Sequence, residues 1–183
     1  MPFRTIPLPQ NAQLPEAIQK SLASLPPLNV FHMLANVPTS FEPFIQLINT
    51  LFKEGKFNPR LREIATLRQA HLLRVTYEWH QHVFLAKGNG VTDDEIEIIR
   101  NAGPVTDLGE EGNFICKITD EITHDARLSD ATFHELFERY SIELGTELIL
   151  CVSYLNMLGR FINATRVEIE DDDPLDGKTI PTA

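Results

Sequence analysis

The chain has 183 residues, 43% of them hydrophobic and 23% charged, the proportions of an ordinary globular protein with one domain and a sizeable core. Its formal net charge of −10, without any cluster of Lys or Arg, argues against nucleic acid as a partner. No apolar run approaches the length that crosses a bilayer, and the first residues hold no continuous apolar segment. A membrane partner and a secretory signal are therefore not expected, and the cytoplasm is the default location.

Prolines at 2, 7, 9 and 15 mark residues 1–15 as an extended N-terminal arm. Pro15 suits the first turn of a short helix over 16–25, which Pro26 and Pro27 break. A short segment over 29–36 stops before Pro38. Phe41, Phe44, Ile45, Ile48, Leu51 and Phe52 then fall on one apolar stripe, which predicts a longer helix over 40–54 ended by Gly55. Asn58 can cap a helix that starts at Pro59, with a stripe of Leu61, Ile64, Ala65, Leu67 or Arg68, and Leu72.

The run Arg74–Val75–Thr76 interrupts that helix. Thr76 can cap the next one, which runs to Lys87 and ends in the Gly88–Gly90 turn. Thr92 caps a helix with acids in its first turn, and Gly103 closes it. Helices over 111–126 and 129–140 follow. The last, over 146–165, is apolar on most faces and belongs in the core or in a subunit interface. Strand signals are scarce, so the expected fold is all-α, a single domain over 16–169. An acidic tail over 170–183 follows it, part of a run with six acids between Glu168 and Asp176, which reads as solvated chain.

Cys116 and Cys151 stand in apolar helical contexts with no CxxC anywhere, so buried reduced thiols are expected for both. The conspicuous stretch is "TYEWHQHVFLAKGNG", residues 76–90. Glu78 and His82 are four apart and share one helix face, whereas His80 points away from both. A carboxylate beside an imidazole sets its tautomer and raises its basicity, which suits proton transfer near neutral pH. Glu63, inside the apolar run "LREIATL", is the natural third member. Each of the three can equally be a solvated or ion-paired surface group. A metal could take Glu78 and His82 as two ligands, but no second ExxH, HxxxH or HExxH element is present to complete a set.

With those residues in view, "NPRLREIATLRQAHLLRVTYEWHQHVFLAKGNGVTDDEIEII" resembles the core of the carboxymuconolactone decarboxylase family, which includes the alkyl hydroperoxidase D-like proteins. The resemblance is carried by the Arg62–Glu63 helix, Tyr77 to Trp79, His82 with Ala86, the glycine turn and the "TDDEI" helix start. The segment over 153–170 is similar to the family's final helix. Together these cover about a third of the chain. The thiol-peroxidase branch of that family carries C-x-x-C-x-x-x-H with a glutamate twelve residues before the first cysteine. Aligned on His82, the cysteine positions fall on Val75 and Glu78 and the glutamate on Glu63. The proton-handling residues are kept and both thiols are lost, so a thiol peroxidase cycle is rejected.

The remaining branch implies a cofactor-independent, carboxy-lyase-like enzyme acting on a small-molecule substrate: a lactone, carbonyl or cyclic acid. Its named reaction takes CO₂ from 4-carboxymuconolactone to leave an enol-lactone. Glu63, Glu78 and His82 are the catalytic candidates. Arg74, the nearest in sequence of the cations Arg62, Arg68 and Arg74, is a substrate-binding candidate together with Tyr77 and His71. Two carboxylates near an anionic substrate imply that one is protonated or that the substrate is neutral. The resemblance also implies a homo-oligomer, a trimer or hexamer, with the last helix and the N-terminal arm as interface elements. The rivals are a non-catalytic helical oligomer with a structural Glu/His cluster and a metal-binding helical protein. The enzyme requires Glu63, Glu78 and His82 to converge on an open pocket.

Overall fold

The structure, a computed structural model, describes residues 5–171. Its described residues are helical with connecting turns, as expected: α1 (Glu16–Ser24), α2 (Asn29–Leu34), α3 (Pro38–Asn49), α4 (Pro59–Leu72), α5 (Thr76–Gly88), α6 (Asp93–Ile99), α7 (Gly109–Asp125), α8 (Asp130–Arg139) and α9 (Ile142–Thr165). The single helix expected over 40–54 starts at Pro38 and gives way at Thr50 to a π-helical turn, Thr50–Glu54. The chain divides into two compact units, residues 1–54 with 161–183, and residues 55–160.

In the first unit, Leu14, Ile18, Leu22, Leu34, Ala35, Phe41 and Ile45 form a small core. The arm is tied down within this unit. Ile6 N–H donates to the Thr165 carbonyl, and the Thr5 hydroxyl donates to the Arg166 carbonyl at 2.7 Å. The start of α2 holds the chain beyond α9: Asn29 Nδ2 donates to the Glu168 carbonyl, and Asn29 N–H donates to the Glu170 carboxylate. The chain is therefore held as far as Glu170, the first residue of the expected acidic tail, and residues 172–183 of that tail lie outside the described residues.

The second unit carries the conspicuous stretch. Asn58 caps α4 as expected, its side chain accepting from the N–H groups of Arg60 and Leu61. Thr92 and Glu95 close a reciprocal capping box on α6, and Ser129 caps α8. At the corner between α4 and α5, Arg74 adopts a left-handed φ of 55°. Val75 N–H then donates back to the Ala70 carbonyl at 2.8 Å. Val75, with no side-chain cap, precedes the helix, and Thr76 is its first residue rather than its cap. At the other end Gly90, at φ +84°, takes the left-handed turn that lets the chain leave.

The largest departure from sequence expectation is α4 itself. It packs against α5, α6 and α7, and every residue from Leu61 to Ala70 is buried, so the helix has no solvated face. Its polar side chains must find partners inside the protein, because a buried polar group without one costs roughly 1–3 kcal/mol. Thr66 donates to the Arg62 carbonyl. Arg68 spends its whole guanidinium: Nε and Nη2 pair with the two oxygens of Asp120, at 2.6 and 2.9 Å. Its Nη1 and Nη2 also donate to the carbonyls of Ile99, Asn101 and Gly103. One side chain on α4 thus fixes α7 and the loop after α6.

α9 is long and apolar enough to cross a membrane by length and composition, against the expectation from sequence. Its Leu148 and Val152 are fully buried in the core of this unit, which accounts for its apolar character.

Arg68→Met should destabilise the protein by roughly 3–5 kcal/mol, because it leaves Asp120 and three carbonyls without their donor. Arg68→Lys should recover little of that, since an ammonium cannot match the fork. Urea denaturation of the three proteins checks both.

Candidate functional site

Glu63 projects from α4 and is only 2% exposed. Its Oε2 lies 2.8 Å from Nδ1 of His82 on α5. An Nδ1–H donating to this carboxylate sets the tautomer and leaves Nε2 as the basic nitrogen of the neutral ring. The His82 side chain is 15% exposed, so the pair is buried at the carboxylate and reaches the surface at the imidazole. Burial pulls the His82 pKa down. The charge and hydrogen bond of Glu63 and the charge of Glu78 outweigh it, with Arg62 opposing, and the pKa stands above the usual histidine value.

Glu78, one turn before His82 on the same helix, differs in kind from Glu63. It is 2% exposed, and neither carboxyl oxygen has a hydrogen-bond partner. Burial pushes its pKa up to about 7; the charge of His82 and the nearby Gln69 amide pull it down, and Glu63 adds to the rise. Near neutral pH this carboxyl is therefore a proton carrier rather than a fixed charge. It interacts with His82 through charge, and the orienting hydrogen bond comes from Glu63 alone among the two carboxylates.

The three catalytic candidates thus come together from α4 and α5. The substrate-binding candidates do not all join them. Arg74 is exposed at the corner between the helices, where it takes its left-handed φ. His71 packs edge-on against Trp79, with ring centroids 6.2 Å apart, and Arg100 lies 4.6 Å over the same indole. Burial and the charges of Arg68 and Arg100 hold the His71 pKa low. Tyr77 is buried in α5 beside Glu78 in sequence. His80 is exposed, as the face argument requires.

Of the three arginines weighed as cations, Arg68 is committed to Asp120. Arg62, 5% exposed, is the one whose charge is felt at His82. Sequence distance from the motif favoured Arg74, but helix packing favours Arg62. α9 adds residues that nothing in the motif indicates. Tyr154 and Cys151 are buried and both feel the charge of Glu78, and Gly159 abuts its carboxyl. The signals that could have pointed to them are a tyrosine, a cysteine and a mid-helix glycine in one apolar helix.

Burial pushes both thiols, Cys116 and Cys151, up to about 12, so neither supplies a thiolate near neutral pH. Among the described residues no group of three His, Cys, Asp or Glu side chains is arranged to hold a metal, which leaves the metal alternative without a ligand set. A surface groove of about 470 Å³ runs beside α7 and α8 and is lined by Phe114, Lys117, Asp120, Glu135 and Arg139 among others. Glu63, Glu78 and His82 do not line it.

Residues 38–113 match the model of the Carboxymuconolactone decarboxylase family. None of the curated proteins compared with the chain matches it. Among solved structures, the chain is similar to an alkylhydroperoxidase AhpD core, an uncharacterized peroxidase-related protein from Ralstonia eutropha JMP134. The identity is 17% and the TM-score 0.80, over 96% of each chain. An uncharacterized peroxidase-related protein from Silicibacter sp. TM1040 is similar at 16% identity and a TM-score of 0.78, over 91% of this chain and 92% of that one. A protein of unknown function from Agrobacterium tumefaciens follows at 17% identity and 0.67, over 75% of this chain and 94% of that one. At these identities the solved structures speak to the fold, the alkyl hydroperoxidase D-like arrangement of helices. Over residues 38–113, where Glu63 and His82 are in contact, the chain is similar to the carboxymuconolactone decarboxylase family.

Proposed function

We propose that this protein is a cofactor-independent acid–base enzyme of carboxy-lyase type, acting on a small lactone, carbonyl or cyclic acid. The observation that carries the proposal is the division of labour at one site. Glu63 is hydrogen-bonded to His82 at 2.8 Å, while Glu78, buried beside them, has no partner and a pKa near 7. A carboxyl raised to about 7 by burial and an imidazole raised by its neighbours make an acid and a base side by side.

In the named decarboxylation, the bond from the ring carbon to the carboxylate breaks, CO₂ leaves, and its electron pair flows into the conjugated carbonyl. The carbon skeleton then gains one proton. His82, supported by Glu63, is the group at the protein surface that can exchange that proton with substrate. Glu78 holds a further proton in reserve. With Glu78 neutral, a single carboxylate remains at the site and it is paired with His82, which answers the objection that two carboxylates would repel an anionic substrate. The peroxidase-related names belong to the similar structures. A peroxidase cycle here has no thiolate to start from.

The protein is also proposed to be a homo-oligomer, a trimer or hexamer, because α9 leaves Ile142, Leu150 and Met157 exposed along one face. Size-exclusion chromatography with light scattering tests this, and a monomer at micromolar concentration refutes it.

In a screen of small lactones and carbonyl acids that includes 4-carboxymuconolactone, the wild type should turn over a substrate and His82→Ala should lose roughly 10²–10⁴-fold in kcat. Unchanged turnover in the variant removes His82 from the mechanism. A second expectation needs no substrate. A carboxyl whose folded pKa is raised keeps its proton longer when folded than when unfolded, so it subtracts stability as pH rises from 4.5 through about 7. Glu78→Gln removes that loss. Its unfolding free energy should exceed that of the wild type above pH about 7, by on the order of 3 kcal/mol, and the gap should close toward pH about 4. Chemical denaturation across this pH range measures it.

A further inference from the structure

Gln69 lies on the fully buried stretch of α4 and is itself wholly buried. Neither amide atom makes a hydrogen bond of proper geometry, and the same is true of both Glu78 oxygens. Yet the amide stands close enough to Glu78 to favour its ionised form. The third wall is Gly159, in the middle of α9. A Cβ built there would lie 2.5 Å from Nε2 of Gln69, 3.0 Å from Cγ2 of Val75 and 3.1 Å from Oε2 of Glu78. Glycine in a helix interior costs about 1 kcal/mol relative to alanine. Here the missing Cβ leaves the room that the amide and the carboxyl occupy.

Accepting the acid–base function proposed above, we propose that Gln69 is a positioning residue for Glu78, kept against the carboxyl by the bare backbone of Gly159, and that the pair stores the site's exchangeable proton. The chemistry of an amide suits this task. With the neutral acid it can accept the O–H and donate an N–H in return; with the carboxylate it can still donate. An apolar side chain of the same size would match only the neutral form, and a buried carboxyl would then have no support for losing its proton. Gln69 therefore keeps Glu78 able to cycle rather than locked in one state.

The groups facing Glu78 from the packed elements are His82 on its own helix, Glu63 on α4, and Tyr154 and Cys151 on α9. Burial raises both Tyr154 and Cys151, so these two stay protonated across the neutral range. Arg62 acts on the site through His82.

The test is a direct titration of Glu78 by the carboxyl carbon resonance of protein labelled with 13C-glutamate, assigned by its loss in Glu78→Gln. It is run on the wild type, Gln69→Met and Gly159→Ala. The second variant touches neither Gln69 nor Glu78 chemically and places its methyl where the amide sits, so it stands in if Gln69→Met does not fold. The wild-type midpoint should lie near 7. In both variants it should move up by about one pH unit, as expected when a donor to a buried carboxylate is withdrawn. A wild-type midpoint near the ordinary 4.5 overturns the acid–base function and this proposal with it. A raised wild-type midpoint that stays or falls in the folded variants overturns the positioning role alone.

Discussion

A helix without a solvated face is the constraint from which the rest follows. α4 is enclosed by α5, α6 and α7, yet it carries Arg62, Glu63, Thr66, Arg68 and Gln69. A charge taken out of water is tolerated only when paired and hydrogen-bonded. Each of these side chains therefore dictates something about a neighbour. Arg68 fixes where Asp120 and the loop after α6 must be. Glu63 fixes the ring of His82. The same requirement that makes the core specific also builds the site, because the partner of the buried Glu63 carboxylate is an imidazole on the next helix that is 15% exposed.

The two glutamates show how far environment outweighs residue type. Both are almost fully buried on helices that pack together. Glu63 has Nδ1 of His82 2.8 Å from its Oε2. Glu78 has no hydrogen bond of proper geometry, and burial raises it to about 7. The His82 charge limits that rise, and the Glu78 charge in turn lifts His82, so the two titrate as a coupled pair and not as independent groups.

Local chemistry was legible in the sequence wherever it was self-contained. Asn58 and Thr92 cap the helices they were expected to cap, Ser129 caps the helix it was expected to begin, and the proline and glycine punctuation places the helices to within a few residues. The face argument separated His80 from Glu78 and His82. What periodicity could not show was enclosure. The stripe on α4 was read as one apolar face, and its charged residues as candidates for solvent, because a sequence does not tell how many neighbours a helix has. Glu63 stands out in sequence as a carboxylate inside the apolar run "LREIATL", which already marks it as a partner for His82. Gln69 and Gly159 escaped altogether, since their meaning lies in a contact between α4 and α9 that no local spacing encodes. Thr76 was taken for a cap because it is a threonine at a helix start; the left-handed Arg74 shifted the start by one residue.

The departure from the thiol-using pattern is chemically coherent once the burial is known. The positions aligned with its two cysteines hold Val75 and Glu78, both buried, and both within 3.1 Å of where a Cβ on Gly159 would stand. Low dielectric disfavours the charged form of any acid. For a thiol this is disabling, and Cys151, buried nearby, is pushed to about 12. For a carboxyl that starts at 4.5 the same push ends near 7, where proton exchange at neutral pH is easiest. The surroundings of Glu78 therefore suit a carboxylic acid: burial raises it, and His82 and the Gln69 amide keep it able to lose its proton.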